Sequence, residues 1–221
     1  MQEHPLIELY VTHSDEAQNA FIEQAIAKMN LDGVVFHTLN RAGIAEPVML
    51  TVMITDDDGI REMNKQYREQ DKATDVLSFP LQEQPLVHAP ADQLWSRPEG
   101  EETPIAECIT KEVEAIEDEN ADENEEDEGT PNTHFVNPPG MVMNLGDIVI
   151  SWPTILHQAA QAGHDYQTEL MYLLSHGVLH LIGYDDQTEA GYQAMVALQQ
   201  QVLQELGQKA YRHESINEAS H

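Results

Sequence analysis

Apolar positions along the chain fall into short runs and helical stripes that take turns. Residues 6–11 and the partly β-branched run 48–55 read as strands. Between them Ala17, Phe21, Ala25 and Met29 recur at helical spacing and predict a helix over 15–39, with Ser14 as its N-cap. A helix over 57–67 carries Ile60, Met63, Asn64 and Tyr67 along one side and leads to a strand over 75–79 closed by Pro80. After a long polar stretch, 145–151 gives another strand, and helices follow over 153–161, 166–182 and 187–206. The last of these places Tyr192, Met195, Val196, Gln199, Val202, Leu203 and Leu206 on one face. Strands interspersed with helices, then a run of helices, predict an α+β fold in which a mixed sheet of about four strands is packed with helices. The pattern leaves the strand order open, and the chain has no internal repeat.

Composition changes this picture in one place. The 221 residues, 41% hydrophobic and 23% charged, suit one domain carrying an appendage. Residues 99–128 hold fifteen acids and one base, Lys111, for a net charge of −14, which leaves −16 for the rest of the chain. Pro85, Pro90, Pro98 and Pro104 precede or enter that run, and Pro131, Pro138 and Pro139 follow it. Residues 82–139 therefore read as an acidic, proline-flanked insertion whose composition predicts disorder. Within it, Ile105, Ile109, Val113 and Ile116 have helical spacing. Residues 1–81 and 140–221 form the single domain that the insertion interrupts.

Forty acids against ten bases, a net charge of −30, exclude a protein that grips nucleic acid through a broad basic surface. Cys108 is the single cysteine and cannot close an intramolecular disulfide, as suits a reducing compartment. The N-terminus carries acids where a secretory leader carries Lys or Arg, and no run approaches the roughly 18 apolar residues of a membrane span. The expectation is a cytoplasmic protein with no membrane role.

Candidate chemistry concentrates between Ser175 and Asp186. His176 and His180 stand at i and i+4 on an apolar helix, so both imidazoles can reach one metal ion. Gly183 suits the left-handed position that ends a helix, and the chain it turns back can bring Asp185 or Asp186 to the imidazoles as a third ligand. Three protein ligands with an open position describe a catalytic rather than a structural site. A zinc peptidase would carry Glu directly after the first histidine, where this chain has Gly177. Taken on residue type alone, Arg68 is a surface arginine that pairs with Glu62 or Asp71, and Asp75, Ser78 and Asp147 are candidates to orient ligands.

His176-Gly177-Val178-Leu179-His180-Leu181-Ile182-Gly183-Tyr184-Asp185 resembles the signature of the YbeY family of metal-dependent endoribonucleases. Asn64, Tyr67-Arg68 and Thr74-Asp75-Val76-Leu77-Ser78-Phe79-Pro80 are similar to its second block, and Leu145-Gly146-Asp147-Ile148-Val149-Ile150-Ser151 to its third. The blocks stand in the family's order and, with the flanking helices, cover most of the chain outside 82–139. The chain departs from the family at position 186, where the pattern has a third histidine and this sequence has Asp186, itself an accepted zinc ligand. His134 or a C-terminal histidine is an alternative donor that the spacing does not favour.

The resemblance implies a single-strand-specific endoribonuclease of ribosomal RNA maturation and ribosome quality control. It implies one divalent ion, zinc foremost, on His176, His180 and Asp186, with Arg68 and His176 catalytic. Precursor ribosomal RNA and the small ribosomal subunit or its proteins are the implied partners, without DNA. Arg68 suits a phosphate because a guanidinium matches two phosphate oxygens and keeps its charge. The rival readings are an assembly factor with a structural metal and a metal hydrolase acting on another phosphoester.

Overall fold

The computed structural model describes residues 4–96 and 142–208. The chain divides into two units, Met1–Trp95 with Val142–His221 and Ser96–Met141, and the fold described here belongs to the first. The expectations for 97–139 lie outside the described residues.

Four strands, β1 Leu6–Thr12, β2 Val48–Thr55, β3 Val76–Pro80 and β4 Met143–Ser151, form one sheet in the order β1-β2-β4-β3. β1, β2 and β4 run parallel, and β3 lies antiparallel on the outer edge of β4. The helices are α1 Glu16–Ile26, α2 Leu31–Arg41, α3 Asp57–Arg68, α4 Trp152–Ala162, α5 Tyr166–Ile182 and α6 Glu189–Glu205. A mixed four-stranded sheet with helices is the α+β architecture that the sequence predicts.

The single helix expected over 15–39 is two helices. The first helix ends at Ile26, and Asn30 starts the second, its side chain accepting from the Gly33 amide at 3.0 Å to cap α2. A short amide side chain offers the backbone an alternative to continued helix. Asp15, not Ser14, caps α1, accepting from the Ala17 amide at 2.9 Å.

Side-chain alternation sorts the sheet into two faces. Leu50, Val52, Ile54, Ile148 and Ile150 are buried against the helical layer of α2, α5 and α6, where the main core lies. Leu77 and Val149 face the other way and form a small cluster with Ile60 of α3. α5 is buried on nearly every side, which is why its sequence is apolar all round rather than striped. The Thr38 hydroxyl on α2 and the Ser175 hydroxyl on α5, both fully buried, meet at 3.0 Å, one residue before His176.

Residues 82–95, expected to lie in the insertion, pack with the fold. Val87 is buried in the main core, and Leu86 and Leu94 pack against it. The Leu86 amide donates to the Ile182 carbonyl at 2.9 Å, and the Trp95 amide to the Gly183 carbonyl at 3.0 Å. Leu94 pairs with Tyr184 as an isolated antiparallel bridge. These residues form a strap that lies along the end of α5. Its apolar residues Leu86, Val87, Leu94 and Trp95 were the available signal.

Candidate metal centre at the end of the central helix

α5 is capped at its start by Asp165, whose carboxylate accepts from the Thr168 amide at 2.7 Å, and at its end by Gly183. Gly183 has φ +127°, and a Cβ there would sit 2.5 Å from the Pro85 Cβ of the strap. Both constraints demand glycine. Further along the helix, Gly177 lets α5 approach the sheet, since a Cβ at that position would sit 2.8 Å from Cγ2 of Ile148. The residue that excludes a peptidase motif is therefore a packing contact, with no room for a glutamate.

His176 and His180 project from the last turns of α5 with their Nε2 atoms 3.0 Å apart. Asp186 completes the group: its carboxylate oxygens lie 3.6 Å from His176 Nε2 and 3.8 Å from His180 Nε2. These three side chains converge closely enough to hold one metal ion. Two imidazole nitrogens at zinc–nitrogen distance on a tetrahedral ion are about 3.3 Å apart, so the donor set and its spacing fit a divalent ion of zinc size. Asp185, the other candidate, is used in the turn, where its carboxylate accepts from the Gln187 amide at 3.2 Å and its own amide donates to the Gln93 carbonyl at 3.0 Å.

The Tyr184 carbonyl, 2.9 Å from His180 Nδ1, can only accept, so Nδ1 carries the proton and Nε2 presents its lone pair towards Asp186 and His176. Burial depresses the pKa of His180, while Asp186, the Tyr184 carbonyl and Asp185 pull it upward and Arg68 lowers it. Burial thus favours the neutral imidazole, which is the form that binds a metal.

Arg68 reaches this region from the opposite face of the sheet. It is the last residue of α3, and its Nη2 donates to the Ser78 carbonyl on the edge strand at 3.3 Å. It pairs with neither Glu62 nor Asp71 among the described residues. Asp71 instead accepts from Arg61 at 2.8 Å and Lys65 at 3.3 Å, and those hydrogen bonds hold its carboxyl below the usual range. Because its partner is an uncharged carbonyl, Arg68 keeps its full charge for an anion.

Ser78 lies opposite Ile148 in the antiparallel register, hence on the α5 side of the sheet, and its buried hydroxyl has no partner among the described residues. Asp147 pairs with Phe79 on the other face and is exposed, away from the histidines. Asp75 ties β3 to α4 through Gln158 at 3.1 Å. Of the three residues considered for orienting ligands, only Ser78 faces the helix that carries the histidines. Sequence reading missed Trp95, whose indole N–H donates to the His180 carbonyl at 2.9 Å.

The family described as Endoribonuclease YbeY matches residues 12–207. An Endoribonuclease YbeY of Desulforamulus reducens is 34% identical over 186 residues, which is 84% of this chain and 90% of the relative. One of a Roseiflexus species is 32% identical over 202 residues, 91% of each chain. A solution structure of a Thermotoga maritima protein superposes with a TM-score of 0.45 at 18% identity, covering 91% of this chain and 92% of that one. With a match spanning nearly the whole described fold, including the histidine helix and the arginine, this chain belongs to the YbeY endoribonuclease family.

Proposed function

We propose that the protein is a metal-dependent endoribonuclease that cleaves single-stranded RNA in ribosomal RNA maturation and ribosome quality control, working in the cytoplasm on the small ribosomal subunit. The observation that carries this reading is the convergence of two imidazoles and a carboxylate at the end of α5, the helix that packs on β3, together with a guanidinium anchored on that edge strand. His176, His180 and Asp186 would hold one divalent ion, zinc being the ion that suits two imidazoles and a carboxylate. When bound, such an ion supplies Lewis acidity to a phosphoryl oxygen or a more acidic water.

The chain's own residues do the rest. The Tyr184 carbonyl fixes the tautomer of His180, and the turn braced by Asp185 holds Asp186 in place. Arg68, oriented by the Ser78 carbonyl, faces charge that develops on the phosphate in the transition state. Attraction for RNA in so acidic a protein falls to a local cluster, Arg61, Lys65, Arg68 and Lys72, in α3 and the turn after it. Asn64 anchors that turn, its side-chain amide donating to the Lys72 carbonyl at 2.8 Å.

No described helix is long and apolar enough to cross a membrane. We propose further that the acidic segment following residue 96 is an insertion in the domain.

The deciding experiment strips the protein with a chelator, adds zinc or manganese back, and measures cleavage of single-stranded RNA. Activity should return with metal, and Arg68→Ala should lower it about a hundredfold or more with metal content unchanged, as for loss of one transition-state donor. Binding of metal without cleavage would support a non-catalytic assembly factor. Parental cleavage by Arg68→Ala would remove the arginine from the chemistry.

A further inference from the structure

Tyr67 is an exposed aromatic side chain that the fold holds in a defined pose. It precedes Arg68 at the end of α3, and the residue is 61% exposed. One edge of the contact is set by Phe79, whose ring centroid lies 5.2 Å away at an interplanar angle of 67°. Phe79 directly follows Ser78, the residue whose carbonyl holds Arg68. The two neighbouring side chains of α3 therefore rest on two neighbouring residues of the edge strand, about 3.3 Å apart along it. Of the six Lys and Arg within the described residues, four lie in α3 and the turn after it; Arg61 and Lys65 are shared with Asp71, whereas Arg68, beside Tyr67, is held by a backbone carbonyl.

We infer that Tyr67, backed edge-on by Phe79 beside Arg68, is a stacking platform for a base of the single-stranded RNA whose phosphate Arg68 holds. The inference rests on the endoribonuclease reading. An exposed aromatic ring set beside a guanidinium matches what an unpaired nucleotide offers: a π-face a short step from a phosphate. A paired duplex hides that face. An acidic peptide would satisfy the cations and gain nothing from the ring. Because every base has a π-face, the platform selects single strands without selecting sequence.

The test is binding of a fluorescein-labelled single-stranded RNA oligonucleotide to the full chain, in chelator so that no cleavage intervenes, with thermal unfolding of each variant as a control. Tyr67→Ala should weaken binding about tenfold to a hundredfold, whereas Tyr67→Phe and Tyr67→Trp should stay within about threefold of the parent, as expected for loss and retention of one stacked base. On an abasic oligonucleotide of equal length, Tyr67→Ala and the parent should bind alike. Equal affinity of Tyr67→Ala and the parent for the base-bearing strand overturns the inference. So does an undiminished loss on the abasic strand, which would make Tyr67 a structural residue. Should Tyr67→Ala fail to fold, the Phe and Trp variants decide, because loss of binding in both of them, folded, also overturns it. Metal-restored cleavage by the parental protein is measured separately, so failure of the stacking site and failure of the nuclease reading are distinguishable.

Discussion

The indole N–H of Trp95 donates to the carbonyl of His180 across 85 residues of sequence, at 2.9 Å. That carbonyl belongs to the last turn of a helix, where intrahelical partners run out. The strap thus holds the turn that carries a candidate metal ligand, and the Trp95 and Asp185 amides add bonds to Gly183 and Gln93 on either side.

Trp95→Phe keeps an aromatic ring in the strap and deletes the donor. Metal affinity, measured by competition with a chromophoric chelator, should weaken about three- to tenfold, the worth of one net hydrogen bond. Thermal stability of the metal-free protein should change by only a few degrees. Unaltered affinity would mean that the strap shields the turn without holding it.

Asp186→Ala should lower metal affinity and RNA cleavage together, because it removes a donor from the group formed with His176 and His180. Asp185→Ala should do less, since that carboxylate meets the Gln187 amide. Asp186→His should restore binding and shift preference from manganese towards zinc, as nitrogen ligation does. Titrating zinc and manganese into the three variants checks the assignment, and the reverse order of effects for Asp185 and Asp186 would sink it.

Gly177→Ala should destabilise the fold by about 1–3 kcal/mol, the range for overpacking a tight core. The added methyl meets Ile148, so Ile148→Val, which removes Cδ1, should make the double variant more stable than the two single losses summed. Chemical denaturation of the four proteins gives the coupling directly, and strict additivity would contradict the contact.

Two deletions separate the strap from the acidic segment. Replacing residues 99–139 with a flexible linker removes fourteen net negative charges and should raise RNA affinity, most at low salt where the Debye length is roughly 30 Å. Metal affinity should be retained. Starting the deletion at residue 82 also removes the strap, and metal affinity should then fall. Equal metal affinity in the two would show that residues 82–95 add nothing to the site.

What the sequence disclosed depended on how local the cause was. β2 and α5 are bounded by strong local signals, a β-branched run and an Asp165 to Gly183 frame, and both match the bounds read from the pattern. The break between α1 and α2 was masked because apolar residues keep helical spacing across it, while one side chain, Asn30, caps a second helix. The proximity of the histidine pair and Asp186 was legible because all three lie within eleven residues at the end of one helix. The partner of Arg68 was not, since a backbone carbonyl leaves no mark on residue type and the contact exists only once β3 takes the sheet edge. Residues 82–95 were assigned to the insertion for a related reason: proline density marks an unpacked segment only if the apolar residues between the prolines have nowhere to dock, and here the core under the end of α5 receives them.

The placement of Arg68 and the histidines on opposite faces has a dynamic consequence. They meet around β3, five residues long and outermost in the sheet, with a single strand neighbour. Edge elements of this kind detach at free energies below global unfolding, and amide exchange reports such openings. Detachment of β3 would remove the carbonyl that aims the guanidinium while α5 and its turn stayed folded on α2 and α6. On the proposed assignment, such a state would retain the candidate metal donors and lack an aimed arginine, so metal binding and cleavage would be separable properties.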